Sequence, residues 1–355
     1  MTGGHRPAGA RDRRHGPWPW TAVLAMLGLL VLWPDLARAA DQAVIIMYHR
    51  FDEQDYPTTN IRLDQFDEHL AELTSGKYTV MSLPDIIAAM KAGTPLPDRT
   101  VGITVDDAYA SVYEHAWPRL KKAGLPFTLF VATDPVDRKL GGIMTWDQIR
   151  EIRDQGATIG HHTVTHAHMA GAPEGKNLVE FTEASKRLKA ELGSVPKIFA
   201  YPYGEASQAL EAMAREQGFE AAFGQHSGVA HPSLGYFYLP RFAMNESFGG
   251  IGRFRLAVNA LAMPVTDLTP ADQLITANNP PAMGFTLIPP APKAIDRLAC
   301  FASHEGRARL ERLGELRIEV RVNQPFPAGR GRINCTVPGP DGRWYWLGRQ
   351  FFITK

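Results

Sequence analysis

From residue 44 onward the chain repeats one pattern, a short apolar run followed by a stretch with helical spacing. "VIIMY" (44–48), "VGITV" (101–105), "FTLFVA" (127–132), "ATIG" (157–160), "KIFAY" (197–201) and "EAAFG" (220–224) read as strands. "LDQFDEHLAEL", "TWDQIREIRDQG", "LVEFTEASKRLKAEL" and "ASQALEAMAREQG" lie between them and carry apolar residues at helical intervals, two of them closing on Gly. Strands without a polar face are buried on both sides, which is the condition of a parallel sheet covered by helices. About seven such units over roughly 220 residues fit a closed β/α barrel better than an open sheet.

The two ends of the chain depart from this pattern. Arg11, Arg13 and Arg14 precede the uncharged run "TAVLAMLGLLVLW" (21–33), and "ARAA" (37–40) follows with small residues. That is the layout of a secretory signal peptide over residues 1–39, so the mature protein is expected in the periplasm or outside the cell. The run is shorter than the roughly 20 apolar residues that a membrane span needs, and no later segment of the mature chain is long enough to span. Removing 1–39 takes away five arginines and two aspartates, leaving 38 − 5 = 33 basic and 37 − 2 = 35 acidic side chains, a net of −2. Nothing in that balance asks for nucleic acid or an anionic membrane. After about Met263 only strand signals remain. "TDLTPADQLITANNPPAM" reads as a linker or irregular wrap. "LRIEVRV" (316–322) alternates strictly, and "GRINCTV" and "WYWLGRQFFI" are split by the turn "PGPDGR". The expected organisation is a barrel over 40–264 and a small antiparallel, sandwich-like β domain over 265–355. Cys300 and Cys335, the only cysteines, both fall in this last part. Export permits a disulfide between them, and two buried thiols are the alternative.

Three stretches place ligand-capable residues at the C-terminal ends of expected strands, the face on which barrel active sites are built. "TVDDAY" (104–109) has adjacent aspartates whose side chains diverge, so that one can bind a metal while its neighbour meets the substrate. "GHHTVTHAHM" (160–169) crowds four histidines into eight residues, and His162 and His166 stand four apart, close enough to share one ion. "FAYPYG" (199–204) carries a turn that can aim a backbone N–H into a pocket. One Asp and two His make a three-ligand face with open positions, as a catalytic divalent site requires. The plainer reading of these residues is a polar barrel rim.

Taken together the three stretches resemble the motifs of the polysaccharide deacetylases, the NodB-homology domain of carbohydrate esterase family 4. "TVDDAY" matches T-F-D-D, "HTVTH" matches H-[ST]-x-x-H and "YPYG" matches R-x-P-Y-G, within a resemblance that runs from about Val44 to Phe248. It implies an α/β fold, a distorted (β/α)7 barrel, and metal-dependent removal of acetyl groups from sugars. Asp107, His162 and His166 would be the metal ligands and Asp106 the general base. The backbone N–H of Tyr203 would hold the oxyanion. The sequence departs from the pattern at Ala108 and Ala200, where the family has Gly and Arg, and the C-terminal L-x-H that supplies a general acid is not evident. "MYHRF" (47–51) puts His49 at the end of the first strand instead. That is similar to the exported poly-N-acetylglucosamine deacetylases, in which the histidine comes from the N-terminal end of the domain. "LPRF" (239–242) offers Arg241 in place of the missing arginine. His226 and His231 are rival acids.

The function expected from this resemblance is hydrolytic N-deacetylation of an acetylated amino-sugar polysaccharide. Zn²⁺ is the first choice of metal, and Ni²⁺, Co²⁺ or Fe²⁺ would accept the same ligands. Tyr109, Trp146 and Tyr201 are candidates to contact sugar, with core packing the alternative for Trp146. An O-acetyl esterase and a non-catalytic glycan binder are the competing classes, the second disfavoured by the intact Asp-Asp and His-x-x-x-His sets. No protein partner is legible.

Overall fold

The computed structural model describes residues 1–4 and 39–354, so the expected signal segment lies almost wholly outside the described residues. Seven parallel strands curl into one sheet in the order Ala221–Phe223, Ile198–Ala200, Thr158–His161, Thr128–Val131, Thr100–Asp106, Val44–Tyr48 and Phe242–Ala243. Thr79–Val80 pairs beside Thr100–Asp106 as an eighth. An isolated bridge from Phe223 to Leu239 brings the two edges of the sheet near one another. The central strands Val44–Tyr48, Thr100–Asp106 and Thr128–Val131 are buried along their whole length, as their apolar runs require. This is the barrel that the βα alternation predicts, distorted as the resemblance implies.

The helices fall where the apolar spacing puts them. Leu63–Leu73 turns Phe66, Leu70 and Leu73 inward. Trp146–Asp154 starts at a Thr145 capping box closed by Gln148. Glu174–Leu192 ends at the left-handed Gly193. The stretch before Gly124 is split, with a π turn over Val112–Ala116 running into an α-helix over Trp117–Ala123. Among the described residues no helix is long and apolar enough to cross a membrane.

The C-terminal part forms two further sheets. One is the run Val265–Thr269, Met283–Leu287, Arg317–Arg321 and Arg309–Leu313. The other centres on the hairpin of Gly329–Pro338 and Trp344–Ile353. Their inner faces share a core that includes Phe285, Ile318, Val320, Ile333 and Phe351. The pairings are antiparallel apart from Leu261–Ala262 and Leu274–Ile275, which run parallel to the last strand. The stretch expected as a linker is therefore partly strand. Its Thr and Leu residues pair because Met283–Leu287 and the last strand each offer an open edge. Cys300 and Cys335 are register partners on neighbouring strands and are joined by a disulfide.

The last strand also packs against the barrel. Trp346 meets Phe242 edge to face at 5.2 Å. Gly348 lies so close to the loop after the barrel's edge strand that a Cβ would overlap the Ser227 carbonyl oxygen. The β-rich part thereby becomes a wall of the cavity at the mouth of the barrel.

Candidate active site

A cavity of about 690 Å³ opens where the sheet's C-terminal strand ends converge. His49, Asp107, Tyr109, His166 and Tyr203 line it. His162 and Asp106 lie beneath that surface, with no solvent exposure of their own.

Asp107 sits just past the end of its strand in a left-handed conformation (φ 77°), followed by Ala108 (φ 52°). That turn swings the Asp107 carboxylate out over the cavity while Asp106, still on the strand, points inward. Glycine adopts such a conformation freely, and Ala108 holds it at some cost. Thr163 (φ 73°) and His166 (φ 57°) are left-handed as well. Their loop is pinned by Glu180 of the neighbouring helix, which accepts the backbone N–H groups of Val164 and Thr165, both at 2.9 Å.

The result brings three ligand atoms together. His162 Nε2 and His166 Nε2 each lie 3.3 Å from Asp107 Oδ1. All three ligand atoms fall within 4.8 Å of one another. His162 Nδ1 lies 2.7 Å from the Ala200 carbonyl oxygen, which can only accept. The ring therefore donates from Nδ1, which leaves Nε2 facing Asp107. That Nε2 is sealed from solvent and makes no hydrogen bond. Burial alone would lower His162, but the Asp107 and Asp106 carboxylates raise it, so this nitrogen calls for a proton or a cation between it and the carboxylate, and the donor set fits a divalent metal. Burial and the neighbouring His162 push His166 down to about 4, which keeps it neutral at physiological pH. Burial alone would raise Asp107, but the two imidazoles hold it well below the usual carboxylate range.

Behind the triad, Arg241 and Asp106 form a fully buried pair. Nη1 donates to Oδ1 at 2.7 Å and Nη2 to Oδ2 at 2.8 Å. Arg241 also donates to Thr104 Oγ1 at 3.1 Å and to the Gly224 carbonyl at 2.9 Å. Burial raises the Asp106 carboxyl, and the Arg241 charge more than offsets it, leaving the group ionised. His49 Nε2 stands 3.9 Å from Asp106 Oδ2. The parallel register explains this: Tyr48 pairs with Val105, so the next residue on each strand meets its counterpart at the rim.

Tyr203 holds a left-handed position in its turn (φ 58°). Its ring lies 4.4 Å from the His166 ring and stacks on His168 at 4.0 Å. The carbonyls of Tyr203 and Gly204 both accept from Gln350 Nε2, at 3.1 and 2.8 Å. Gln350 belongs to the last strand, so the C-terminal sheet holds this turn in place.

A family model for polysaccharide deacetylases matches residues 93–222, a span that contains the Asp pair, both ligand histidines and the Tyr203 turn. The chain contains a polysaccharide deacetylase domain. Relatives named as N-deacetylases are hydrolases acting on amide bonds. The deacetylase is 25% identical over 234 residues to the poly-β-1,6-N-acetyl-D-glucosamine N-deacetylase of Escherichia coli, covering 54% of this chain and 35% of that one. It thus spans about a third of that relative. It is 23% identical over 199 residues to the enzyme of the same name from Staphylococcus aureus, covering 53% of this chain and 68% of that one. Among solved structures it is similar to IcaB from Ammonifex degensii, with a TM-score of 0.56 and 26% identity over 62% of this chain and 99% of that one. It also shares its fold with the Streptococcus pyogenes deacetylase PplD, with a TM-score of 0.58 at 20% identity over 62% and 99%.

Two expected sugar contacts of the deacetylase do not reach the cavity. Trp146 opens a helix on the barrel's outer layer. Its Nε1 donates to Asp137 Oδ1 at 2.7 Å, and Arg187 lies 5.1 Å from its ring. Tyr201 is fully buried, and its hydroxyl donates to the Phe237 carbonyl at 2.9 Å. It follows the strand and turns into the layer under the helices, beside Phe199 and Tyr238. Tyr109 does line the cavity, with Arg50 over one face of its ring at 3.5 Å. Of the rival acids, His231 bonds Ser233 and Asp41 away from the site. His226 is buried against Tyr238. Sequence reasoning missed Phe248, Arg253, Arg330, Arg332 and Trp346, all on the cavity surface. The alternation of "GRGRIN" carried a signal for two of them, since it sets Arg330 and Arg332 on one strand face.

Proposed function

We propose that this chain is an exported, metal-dependent N-deacetylase of an acetylated amino-sugar polysaccharide. The observation that carries the reading is the convergence of Asp107, His162 and His166 on one point, with the Asp106–Arg241 pair behind them and His49 across from Asp106. The relatives named for poly-N-acetylglucosamine deacetylation support the choice of an amide over an ester.

Asp107, His162 and His166 would hold the cation, with Zn²⁺ the first choice for an Asp-His-His set. The chemistry that such an ion would supply when bound is Lewis acidity toward water and the acetyl carbonyl. Asp106, kept ionised by Arg241, accepts the proton of the attacking water. The Tyr203 N–H donates to the oxygen that gains charge as the carbonyl becomes tetrahedral. His49 delivers a proton to the sugar nitrogen as the C–N bond breaks, because an amide does not expel a bare nitrogen anion. The products are acetate and a free amino sugar. Export follows from the N-terminal pattern of residues 1–39 and suits a polymer outside the membrane.

The test is acetate release from defined N-acetylated oligosaccharides, with chelator and after metal is restored. Release that stops with chelator and returns with metal is expected. Undiminished release in chelator overturns the metal-dependent reading.

A further inference from the structure

The cavity wall opposite the barrel strands is basic. In Gly329–Pro338, Gly331, Ile333, Cys335 and Val337 face the β core, so Arg330, Arg332 and Asn334 face the other way. That face looks into the cavity, where Arg330 and Arg332 join Arg253 from the helix Ile251–Val258. Among the described residues three guanidiniums thus share a lining whose single carboxylate is Asp107, already committed to the two histidines.

Their partners do not compensate this charge. The side chain of Arg332 has one hydrogen bond, from Nε to Gln350 Oε1 at 2.8 Å, and among the described residues no carboxylate pairs with it. Arg253 rests on Trp346 and Phe242 at 5.1 and 5.4 Å from their ring centres, and its Nη1 is buried without a hydrogen bond. Among the described residues the one carboxylate that pairs with Arg330 is Glu205, at 3.9 Å. Burial and the Arg330 charge both push Arg332 down. Holding unpaired guanidiniums in a partly closed cleft costs free energy that an incoming anion would recover. The planar fork of arginine suits a carboxylate or a phosphate. Arg330 lies 5.7 Å from the Tyr203 ring, which touches His166, so this charge stands beside the reacting centre.

We infer that the cleft recognises an anionic oxygen group on the polymer, a carboxylate or a phosphate borne near the acetylated amino sugar, through Arg330, Arg332 and Arg253. This rests on reading the cavity as the substrate site of an amide hydrolase. A neutral acetylated polymer offers these arginines hydroxyl and carbonyl acceptors but no compensating charge, and the ammonium formed on deacetylation is repelled by them.

The experiment is equilibrium binding to the full mature chain with three probes of equal length. One is a neutral N-acetylglucosamine tetramer. The second alternates N-acetylglucosamine with glucuronic acid. The third is the tetramer carrying a 6-phosphate. At low ionic strength at least one anionic probe should bind about tenfold or more tighter than the neutral one, a difference of about 1.4 kcal/mol. Whichever anionic probe gains names the source of the charge. The ratio of Kd values should shrink with added salt and fall toward one in Arg330→Gln and Arg332→Gln. Arg330 is exposed, so its variant keeps the test free of folding defects. Equal binding of all three probes overturns the inference, as does a ratio that survives both substitutions. Acetate release is measured on the same probes. If none is deacetylated with metal supplied, the hydrolase reading fails, while the Kd ratios still decide whether the cleft selects anions.

Discussion

At the scale of single residues, the site separates two neighbouring aspartates by one backbone turn. Asp107→Asn removes an anionic ligand and should lower bound metal, as should His162→Ala. Asp106→Asn should retain metal yet lose turnover by roughly 10²–10⁴ for a missing base. Metal analysis beside kcat distinguishes them, and equal metal loss in both aspartate variants contradicts the division. Arg241→Met leaves a buried carboxylate without its partner. It should cost about 3–5 kcal/mol in urea unfolding. It should also move the rising acidic limb of the pH–rate profile to higher pH, because Arg241 is what holds Asp106 down. An unchanged limb would show that Asp106 is not the base. His49→Ala should cut amide turnover strongly and spare an activated ester, whose leaving group needs no proton. Equal losses on both substrates would remove His49 as the acid.

At the scale of elements, the last strand joins the β-rich part to the Tyr203 turn. Gln350 is buried and donates to the carbonyls of both Tyr203 and Gly204. Gln350→Leu should leave the Tyr203 carbonyl without its partner, at about 1–3 kcal/mol, while the Gly204 carbonyl keeps the Tyr238 hydroxyl at 2.7 Å. Turnover should fall more than substrate binding, since the N–H of the turn is needed most in the transition state. A loss confined to KM would argue against that role. Gly348→Ala pushes a methyl into the Ser227 carbonyl and should lower stability by about 1–3 kcal/mol, the usual cost of overpacking. A thermal melt that does not move would mean that strand and loop part easily.

At the scale of the whole molecule, buried histidines set its response to acid. His69 is pushed down to about 4 and His226 to about 3, in both cases by burial first. His69 is wedged between the Tyr48 hydroxyl at 2.9 Å and the Gly249 carbonyl at 2.7 Å, flat against Phe254. In the unfolded chain both titrate near ~6.5. The unfolded state therefore binds more protons below that pH. Stability is full above it and falls as pH drops toward about 4, by up to about 1.4 kcal/mol per pH unit for each group. Urea midpoints at successive pH values should show the decline, and His69→Gln should flatten its share. The Cys300–Cys335 bridge closes a separation of 35 residues. It should add about 3–4 kcal/mol in the chain-entropy picture. Unfolded, unreduced protein should show no free thiol, and reduction should loosen the β-rich part before the metal triad.

The sequence alone determined the layer order and most of the site. Apolar runs without a polar face demand burial on both sides, so the βα alternation was already a parallel sheet. Residues at strand ends in such a sheet share one rim, which made the Asp106–Asp107 pair, His162 and His166 legible as a group and put His49 on the same face, while the choice of Asp107 as ligand rested on the resemblance to the deacetylase motifs. The tertiary structure decided everything that depends on which face meets what. Tyr201 and Trp146 stand next to motif residues in sequence but turn into the helix layers, because side-chain direction follows local twist and packing rather than proximity along the chain. Arg241 was a guess from a missing arginine until the sheet curled and brought it within 2.7 Å of Asp106. The wall of Arg330, Arg332 and Trp346 lies far along the chain from the motifs. Strand alternation shows that those residues share a face, but only docking of the hairpin on the barrel decides that the face looks into the active site.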